Sequence, residues 1–146
     1  MKLIRYLSIL IVSSTIINVW LFRYNKDSIY RGGDATTMLE EFYVYGLNET
    51  FLYVVGTIKV FSALILLIGI FYDKLILFSA FLISGFMTAA IFMHLKVGDE
   101  LIKSFPASII LLLSLIIVFS TYFKQKRFTQ NFWFNKNLKY RINKFN

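Results

Sequence analysis

The sequence predicts an all-α membrane protein, in which four transmembrane helices form an antiparallel bundle and the first loop carries a short amphipathic helix. Three observations predict this fold. Of the 146 residues, 58% are hydrophobic, and the mean hydropathy of +0.65 is well above that of a soluble domain. The apolar residues are concentrated in four runs rather than spread periodically. Positive charges lie beside those runs, as in polytopic membrane proteins.

The same composition excludes several classes of protein. Only 16% of the residues are charged and there is one proline, which excludes a disordered chain. The absence of cysteine excludes disulfides, a thiolate nucleophile and iron–sulfur ligation, and the one histidine, His94, cannot build a multi-histidine metal centre. We therefore expect no metal and no cofactor. The net charge of +8 indicates membrane orientation and lipid contact rather than nucleic-acid binding.

The four runs are 17, 22, 21 and 17 residues long and cover residues 6–22, 51–72, 75–95 and 107–123. Each can cross about 30 Å of hydrocarbon as a helix. The first run follows two basic residues, as a signal peptide does, but no small-x-small cleavage site follows it, so we expect it to be retained. Residues 1–123 are predicted to form the membrane domain and residues 124–146 a basic, aromatic tail.

The basic residues predict the orientation of the spans. Ten of them lie before span one, between spans two and three, or in the tail, whereas five lie in the first and third loops together with seven of the eight carboxylates. Because basic residues accumulate on the cytoplasmic side, both termini are predicted to be cytoplasmic.

The connections give further detail. Only Asp73 and Lys74 separate spans two and three, which predicts a tight antiparallel hairpin. Pro106 suits the first turn of span four, and Gly46 suits the end of a short helix from about residue 34 to residue 45. In that helix the apolar side chains recur at three- and four-residue spacing, which predicts that it lies on the outer interface or caps the bundle. They are Met38, Leu39, Phe42 and Tyr45.

Lys59 is the most informative polar residue. Its ammonium lies eight residues, or about 12 Å, into span two, which is too deep for easy relief by snorkelling. A lysine near the centre of a span costs about 2.5 to 3.5 kcal/mol, so its presence predicts a partner or a hydrated cavity. A ligand, proton or ion site, a purely structural charge pair, and a lysine deprotonated by burial all remain open. Gly56 and Ala63 share its helix face and leave room beside it.

Other candidate site residues follow from Lys59. No span contains a carboxylate away from its boundary. A partner for Lys59 must therefore come from a loop, from a ligand, or from the dipole of a carbonyl or hydroxyl group, and Glu40, Glu41 and Asp99 are the loop candidates. His94, at the outer end of span three, can approach the level of Lys59, either as a chemical group or as a hydrogen-bonded structural residue. Asn18 in span one could line the same cavity or join helices together. The serines of spans one and four, and the pair Gly85 and Ala89, are predicted to serve interhelical packing.

The tail interleaves seven basic residues with aromatic side chains. Such a pattern binds RNA or lies on anionic lipid, and its position next to the membrane favours lipid.

These features together resemble the DoxX-like family of small four-helix bacterial membrane proteins. The family's second span carries Gly-x-x-Lys, here Gly56-Thr57-Ile58-Lys59, after a loop that ends in an aromatic-Gly pair, here Tyr45-Gly46. Its third span is similar to the series formed here by Gly85, Ala89-Ala90, His94 and Gly98-Asp99. The resemblance covers residues 1–123. It implies a bundle in the bacterial inner membrane and a loose association with membrane redox machinery, although the lack of cysteine departs from any thiol-based role.

The leading functional hypothesis is a non-catalytic accessory or ligand-binding subunit. Its outward-facing cleft centres on Lys59, with His94, Asp99, Glu41 and Asn18, and takes an anionic or quinone-like ligand, because a cation in low dielectric attracts such oxygens. The expected partners are membrane lipids and a membrane redox or other membrane-protein subunit. The alternatives are a membrane enzyme acting on a lipid or quinone, and a small proton-coupled transporter. No residue is assigned a catalytic role.

Overall fold

A computed structural model describes the backbone of residues 2–145 and the side chains of residues 2–134. The helices are α1 (Lys2–Ile17), α2 (Met38–Val44), α3 (Glu49–Ile68), α4 (Asp73–Lys96) and α5 (Leu101–Phe145). A π-helical turn, Asn18–Phe22, continues α1 without a break. Within residues 2–145 no strand is present. The predicted all-α class is confirmed.

Four helical stretches are long and apolar enough to cross a membrane. They are Lys2–Phe22, Glu49–Ile68, Asp73–Lys96 and Leu101–Phe134. The helices pack in the order α1, α3, α4, α5, and α5 closes the ring against α1. Fully buried aliphatic side chains such as Ile9, Leu66, Ile83 and Ile117 fill the centre. The large apolar side chains on the outside of the ring are consistent with a lipid-facing surface, because lipid tails are as apolar as the core.

The hairpin between α3 and α4 is confirmed, but its turn lies earlier than predicted. The helix α3 ends at Ile68, residues 69–72 form the turn, and Asp73 is the first residue of α4. A Cβ atom at Gly69 would lie 2.6 Å from Cγ1 of Ile76, so glycine permits the two helices to approach closely. We call this end of the bundle the hairpin end, and the opposite end, which carries residues 23–48 and 97–100, the loop end.

The short helix in the first loop is confirmed as a cap on the bundle. Its start, Met38, is later than predicted because Thr37 and Glu40 form a reciprocal capping box there. Met38 and Phe42 are buried in a second small core with Leu52 of α3. The apolar stripe of α2 therefore packs on the first half of α3 rather than on lipid.

Helix α5 begins earlier and continues farther than the sequence predicted. Pro106 lies inside the helix, in its second turn, because α5 already begins at Leu101. The missing N–H of Pro106 leaves the carbonyl group of Ile102 without its usual helical donor. At the other end, the backbone of α5 continues as a helix from the membrane span into the predicted tail, as far as Phe145. The division at residue 124 is thus not marked by a break in secondary structure.

The small and polar residues of the spans do not act as predicted. Gly85 and Ala89 are exposed, and a Cβ atom at Gly85 would meet nothing within 4 Å, so this pair packs against none of the helices within the described residues 2–134. Four serine hydroxyls of spans one and four donate to carbonyl groups of their own helix, three or four residues earlier, instead of joining helices. Ser14 donates to Leu10, Ser108 to Ser104, Ser114 to Ile110 and Ser120 to Ile117.

Candidate functional site

The first loop folds over the loop end of the bundle and is held there by Arg31. One guanidinium nitrogen of this buried residue, Nη2, donates to the backbone carbonyl oxygens of Arg23, Tyr24 and Lys26 at 2.9, 3.3 and 3.2 Å. The other, Nη1, donates to Oε2 of Glu41 at 2.9 Å. Arg31 therefore joins the start of the loop to α2.

Glu41 accepts two further hydrogen bonds. Its Oε1 accepts from the backbone N–H of Gly32 at 3.0 Å and from the hydroxyl of Tyr45 at 3.1 Å. A Cβ atom at Gly32 would collide with the ring of Tyr45, so glycine is required for this close approach. The carboxylate predicted as a counter-ion for Lys59 is thus committed to neighbours in its own loop.

Tyr45 links the loop to helix α4. Its hydroxyl oxygen lies 3.1 Å from Nδ1 and 3.2 Å from Nε2 of His94, and the two rings meet edge to face. Burial, followed by the negative charge of Glu41, raises the pKa of the Tyr45 phenol well above its usual value. Tyr45 therefore stays protonated and acts as a hydrogen-bonding link.

His94 and Asp99 form the adjacent pair. Nδ1 of His94 lies 2.8 Å from Oδ2 of Asp99, and both side chains are buried. The chain can return in this way because Gly98 adopts a φ of +75°, which ends α4 and turns Asp99 back towards the helix. Oδ1 of Asp99 accepts from the backbone N–H of Gly33 at 2.8 Å, while Nζ of Lys103 lies 3.5 Å away.

The environment of Asp99 favours its ionised form. Burial alone raises its pKa, but the hydrogen bonds from Gly33 and His94 and the charge of Lys103 outweigh that effect, so the pKa of Asp99 lies below its usual value. Lys103 also donates to the carbonyl oxygen of Gly33 at 2.5 Å, which ties the first turn of α5 to the first loop.

Glu41, Tyr45, His94 and Asp99 together form a continuous polar chain, which we call the loop-end network. Its protons can be arranged in two ways. Where Tyr45 donates to Glu41, the oxygen of Tyr45 can accept from Nε2–H of His94. In the other arrangement Tyr45 donates to Nε2 of His94. In both arrangements the network joins α2 to α4 through side chains that are mostly buried.

Lys59 is a buried residue near the middle of α3, farther from the loop end than this network. The residue is 9% exposed, and its Nζ lies 5.1 Å from the centre of the Trp20 ring and 5.8 Å from that of Phe86. Within residues 2–134 it forms no ion pair and no hydrogen bond. Glu41 is the carboxylate whose charge acts on Lys59, but from beyond contact distance. Two aromatic rings are thus the contacts that stabilise this ammonium.

The structure brings three of the five predicted site residues together at the loop end, where Glu41, His94 and Asp99 lie in one network. Lys59 lies at the middle of α3, about 15 Å from its first residue. Asn18 is exposed and lines a separate groove of about 520 Å³ between α1 and α3, with Ser14, Phe22 and Leu67. Glu40, the other proposed counter-ion, accepts from Thr36 and Thr37 in the capping box of α2.

Sequence reasoning missed several members of the site. Tyr45 was recognised in an apolar stripe and in an aromatic-Gly pair, but not as a hydrogen-bonding residue, and Arg31 was counted only among the basic residues of the loops. Trp20 and Phe86, which contact Lys59, were indistinguishable from other aromatic residues in apolar runs. The glycines before the short helix, Gly32 and Gly33, were the available signal, because a Gly-Gly pair marks a place where backbone must approach another group closely.

A second charged cluster lies at the hairpin end. Nη1 of the buried Arg5 lies 3.1 Å from Oδ1 of Asp73, and Lys124 of α5 bonds the other oxygen of the same carboxylate. The cluster joins α1, α4 and α5. Among the residues whose side chains are described, no group of three histidine, aspartate or glutamate residues is placed to hold a metal ion.

Comparison with known proteins gives one match. No curated protein and no solved structure matches the chain. The model of the DoxX-like family matches residues 29–118, which include the Gly56-x-x-Lys59 motif, the first-loop helix and the His94–Asp99 pair. Because this match covers more than half of the chain, the protein belongs to the DoxX-like family.

Proposed function

We propose that this protein is a non-catalytic accessory or ligand-binding subunit of the bacterial inner membrane, which holds an anionic or quinone-like ligand at Lys59. In the proposed orientation both termini are cytoplasmic and the loop end faces outward, as the distribution of basic residues favours. Association with a membrane redox enzyme or another membrane protein belongs to the same proposal and is supported only by the family resemblance.

One observation carries the ligand site. Lys59 is buried in a helix suited to cross the membrane, yet within the described side chains it has aromatic rings beside it and no counter-ion. The carboxylates that could neutralise it are already used, Glu41 by Arg31 and Asp99 by His94 and Lys103. A buried cation with no partner in its own chain is costly, and an anionic or carbonyl ligand offsets that cost.

The loop-end network has a supporting role in this proposal. Together with the bond from Lys103 to Gly33, it fixes the first loop and α2 over the bundle, and α2 in turn packs on Leu52, seven residues before Lys59 in α3. His94, Asp99 and Glu41 thus hold the segment that covers the loop end of the bundle, and the charge of Glu41 acts on Lys59. Asn18, which lines a different groove, is not included.

The test is native mass spectrometry of the protein extracted in a mild detergent. The wild type is compared with Lys59→Met, which removes the charge and keeps an unbranched apolar side chain. Lys96→Met is the matched control, because Lys96 is an exposed lysine at the loop end of α4. We expect a bound molecule in the wild type and in Lys96→Met that is lost in Lys59→Met, while all three proteins keep the same helicity. Identical spectra for the three proteins would refute the ligand site.

A further inference from the structure

A cavity of about 310 Å³ lies between the π-helical turn and α3, next to Trp20. Its lining is mostly apolar and aromatic, with Trp20, Tyr24, Gly56, Thr57 and Phe61 among the residues that form it. The volume is at the lower end of the range for ligand sites in proteins. The cavity is therefore of a size to take the end of an extended molecule rather than a bulky one.

The cavity opens to the side of the bundle. Tyr53, Thr57 and Phe61 recur every four residues along α3, all three line the cavity, and all three are exposed. Gly56 lies at the inner side of the cavity, and the adjoining face of α3, with Lys59 and Ala63, is buried. Because the exposed face of a membrane-spanning helix meets lipid, the opening is towards the hydrocarbon of the bilayer.

Trp20 borders both this cavity and Lys59. Its ring lines the cavity, and Nζ of Lys59 lies 5.1 Å from the centre of the same ring. It fits tightly on α3, since a Cβ atom at Gly56 would lie 2.5 Å from Cζ3 of Trp20. Trp20 is also inside the π-helical turn, which is closed by the hydrogen bond from the N–H of Arg23 to the carbonyl oxygen of Asn18 at 3.1 Å. Such turns occur frequently at functional sites.

We infer that the ligand of Lys59 is a long-chain carboxylate that enters from the bilayer, its chain in the lateral cavity and its head group moving past Trp20 to the ammonium. This inference rests on the proposed function and adds the class of the ligand and its route. The carboxylate supplies the negative charge that Lys59 lacks, and the apolar lining accepts the chain.

The depth of Lys59 favours a carboxylate over a phospholipid. Lys59 lies ten residues after Glu49, the first residue of α3, which is about 15 Å along a helix of 20 residues. A phosphate group with its attached alcohol is held among the head groups, whereas a carboxylate is compact and is bonded directly to its chain. It can therefore follow the ammonium below the head groups at a smaller desolvation cost.

Trp20 itself provides the measurement. The chain has two tryptophans, so Trp133→Phe leaves Trp20 as the sole fluorophore of its kind. This single-tryptophan protein is placed in phosphatidylcholine nanodiscs and titrated with dibromostearate, whose bromine atoms quench tryptophan on contact. The methyl ester of the same acid is the uncharged control ligand, and butyrate is the water-soluble carboxylate. Lys59→Met and Lys96→Met are made in the same background.

We expect dibromostearate to quench Trp20 at a concentration at least about tenfold lower than its methyl ester does, since a buried ion pair is worth more than a factor of ten in affinity. Lys59→Met should abolish the difference and Lys96→Met should keep it. Thr57→Phe, which fills the cavity without contacting Lys59, should weaken quenching by the acid severalfold. Thr88→Phe, at an exposed threonine of α4, should not.

Three outcomes would overturn the inference. If the acid and the ester quench Trp20 equally, whether Lys59 is present or replaced by methionine, the cavity takes apolar chains but Lys59 binds no carboxylate. If neither quenches, the cavity does not open to the bilayer. Butyrate carries no bromine, so its binding is detected as a loss of quenching by dibromostearate. If butyrate prevents that quenching at concentrations similar to those of the long-chain acid, and only when Lys59 is present, the ligand arrives from water. That third result would leave the proposed anion site at Lys59 intact, so the two proposals fail separately.

Discussion

The pair His94 and Asp99 shows how single residues decide the structure of the loop end. Each side chain is buried and bonds the other, and His94 also meets Tyr45. Asp99 in particular bonds a side chain of α4 and a backbone N–H of the first loop, and lies near Lys103 of α5. Its removal should therefore loosen three contacts at once.

We predict that Asp99→Asn lowers the free energy of unfolding at neutral pH by about 1–3 kcal/mol, because charged partners then lose a hydrogen-bond acceptor in a buried site. The pH dependence follows from the lowered pKa of Asp99. The unfolded chain binds the proton at the ordinary pKa of about 3.9, above the folded one, so the stabilisation is complete above that pH. It is lost as the pH falls through the lowered value.

Thermal unfolding in detergent, followed by helicity from neutral pH down to the acid range, checks this prediction. The gap between wild type and Asp99→Asn should be constant at neutral pH and close only in acid. Glu100→Gln, at the exposed neighbouring carboxylate, is the control and should change the midpoint little. A gap that stays the same at every pH would show that the charge of Asp99 is unimportant.

At the scale of residues, the sequence predicted which side chains are unusual but not which of them pair. A lysine inside an apolar run and a histidine at its edge are visible in any single sequence, because burial makes both costly. The partners are less visible. Arg31 and Glu41 are ten residues apart, Tyr45 and His94 are 49 apart, and Gly33 and Asp99 are 66 apart. Such contacts depend on the path of the first loop, which no local pattern specifies.

Among the elements, the ends of helices test the structure most directly. Gly46 follows α2 with a φ of +76°, and a Cβ atom there would meet nothing within 4 Å. Alanine at this position should therefore cost only the strain of the left-handed backbone, about 1–2 kcal/mol. Gly85→Ala is the matched control, because Gly85 is helical and equally open, and there alanine should stabilise by about 0.5–1 kcal/mol.

The two glycine variants are compared with wild type by thermal unfolding in the same detergent. The midpoint should fall for Gly46→Ala and should rise or stay unchanged for Gly85→Ala. Equal shifts of the unfolding midpoint in the two variants would mean that Gly46 does not end α2 through a left-handed backbone conformation.

The bounds of the elements were less predictable than their number. All four spans and the short helix were expected, because each has a long apolar run or a regular apolar spacing. The hairpin turn came four residues early and places Gly69 against Ile76 of α4, a contact that the sequence does not display. The prediction that Pro106 marks the start of a helix was wrong. A proline in the second turn of α5 removes only one hydrogen bond, so the helix can begin before it.

For the whole molecule, the two ends of the bundle have different character. The loop end carries the first loop, α2 and the loop-end network. The hairpin end carries the cluster of Arg5, Asp73 and Lys124, and the backbone of α5 continues 21 residues past Lys124, or about 30 Å. The two ends of the bundle therefore differ along its axis. The orientation of the bundle in the membrane decides which side of the membrane the loop end, which covers the site at Lys59, faces.

We predict that the hairpin end is cytoplasmic, because ten basic residues lie in the segments that belong to it and five in the loops at the other end. The chain has no cysteine, so single cysteines report position directly. Asn25→Cys in the first loop should react with a membrane-impermeant maleimide in right-side-out spheroplasts. Asn131→Cys on α5 should react only in inside-out vesicles; both positions are exposed. Reversed labelling would overturn the orientation alone. Labelling of both positions from one side would contradict the four-span bundle, because an odd number of crossings must separate these two residues.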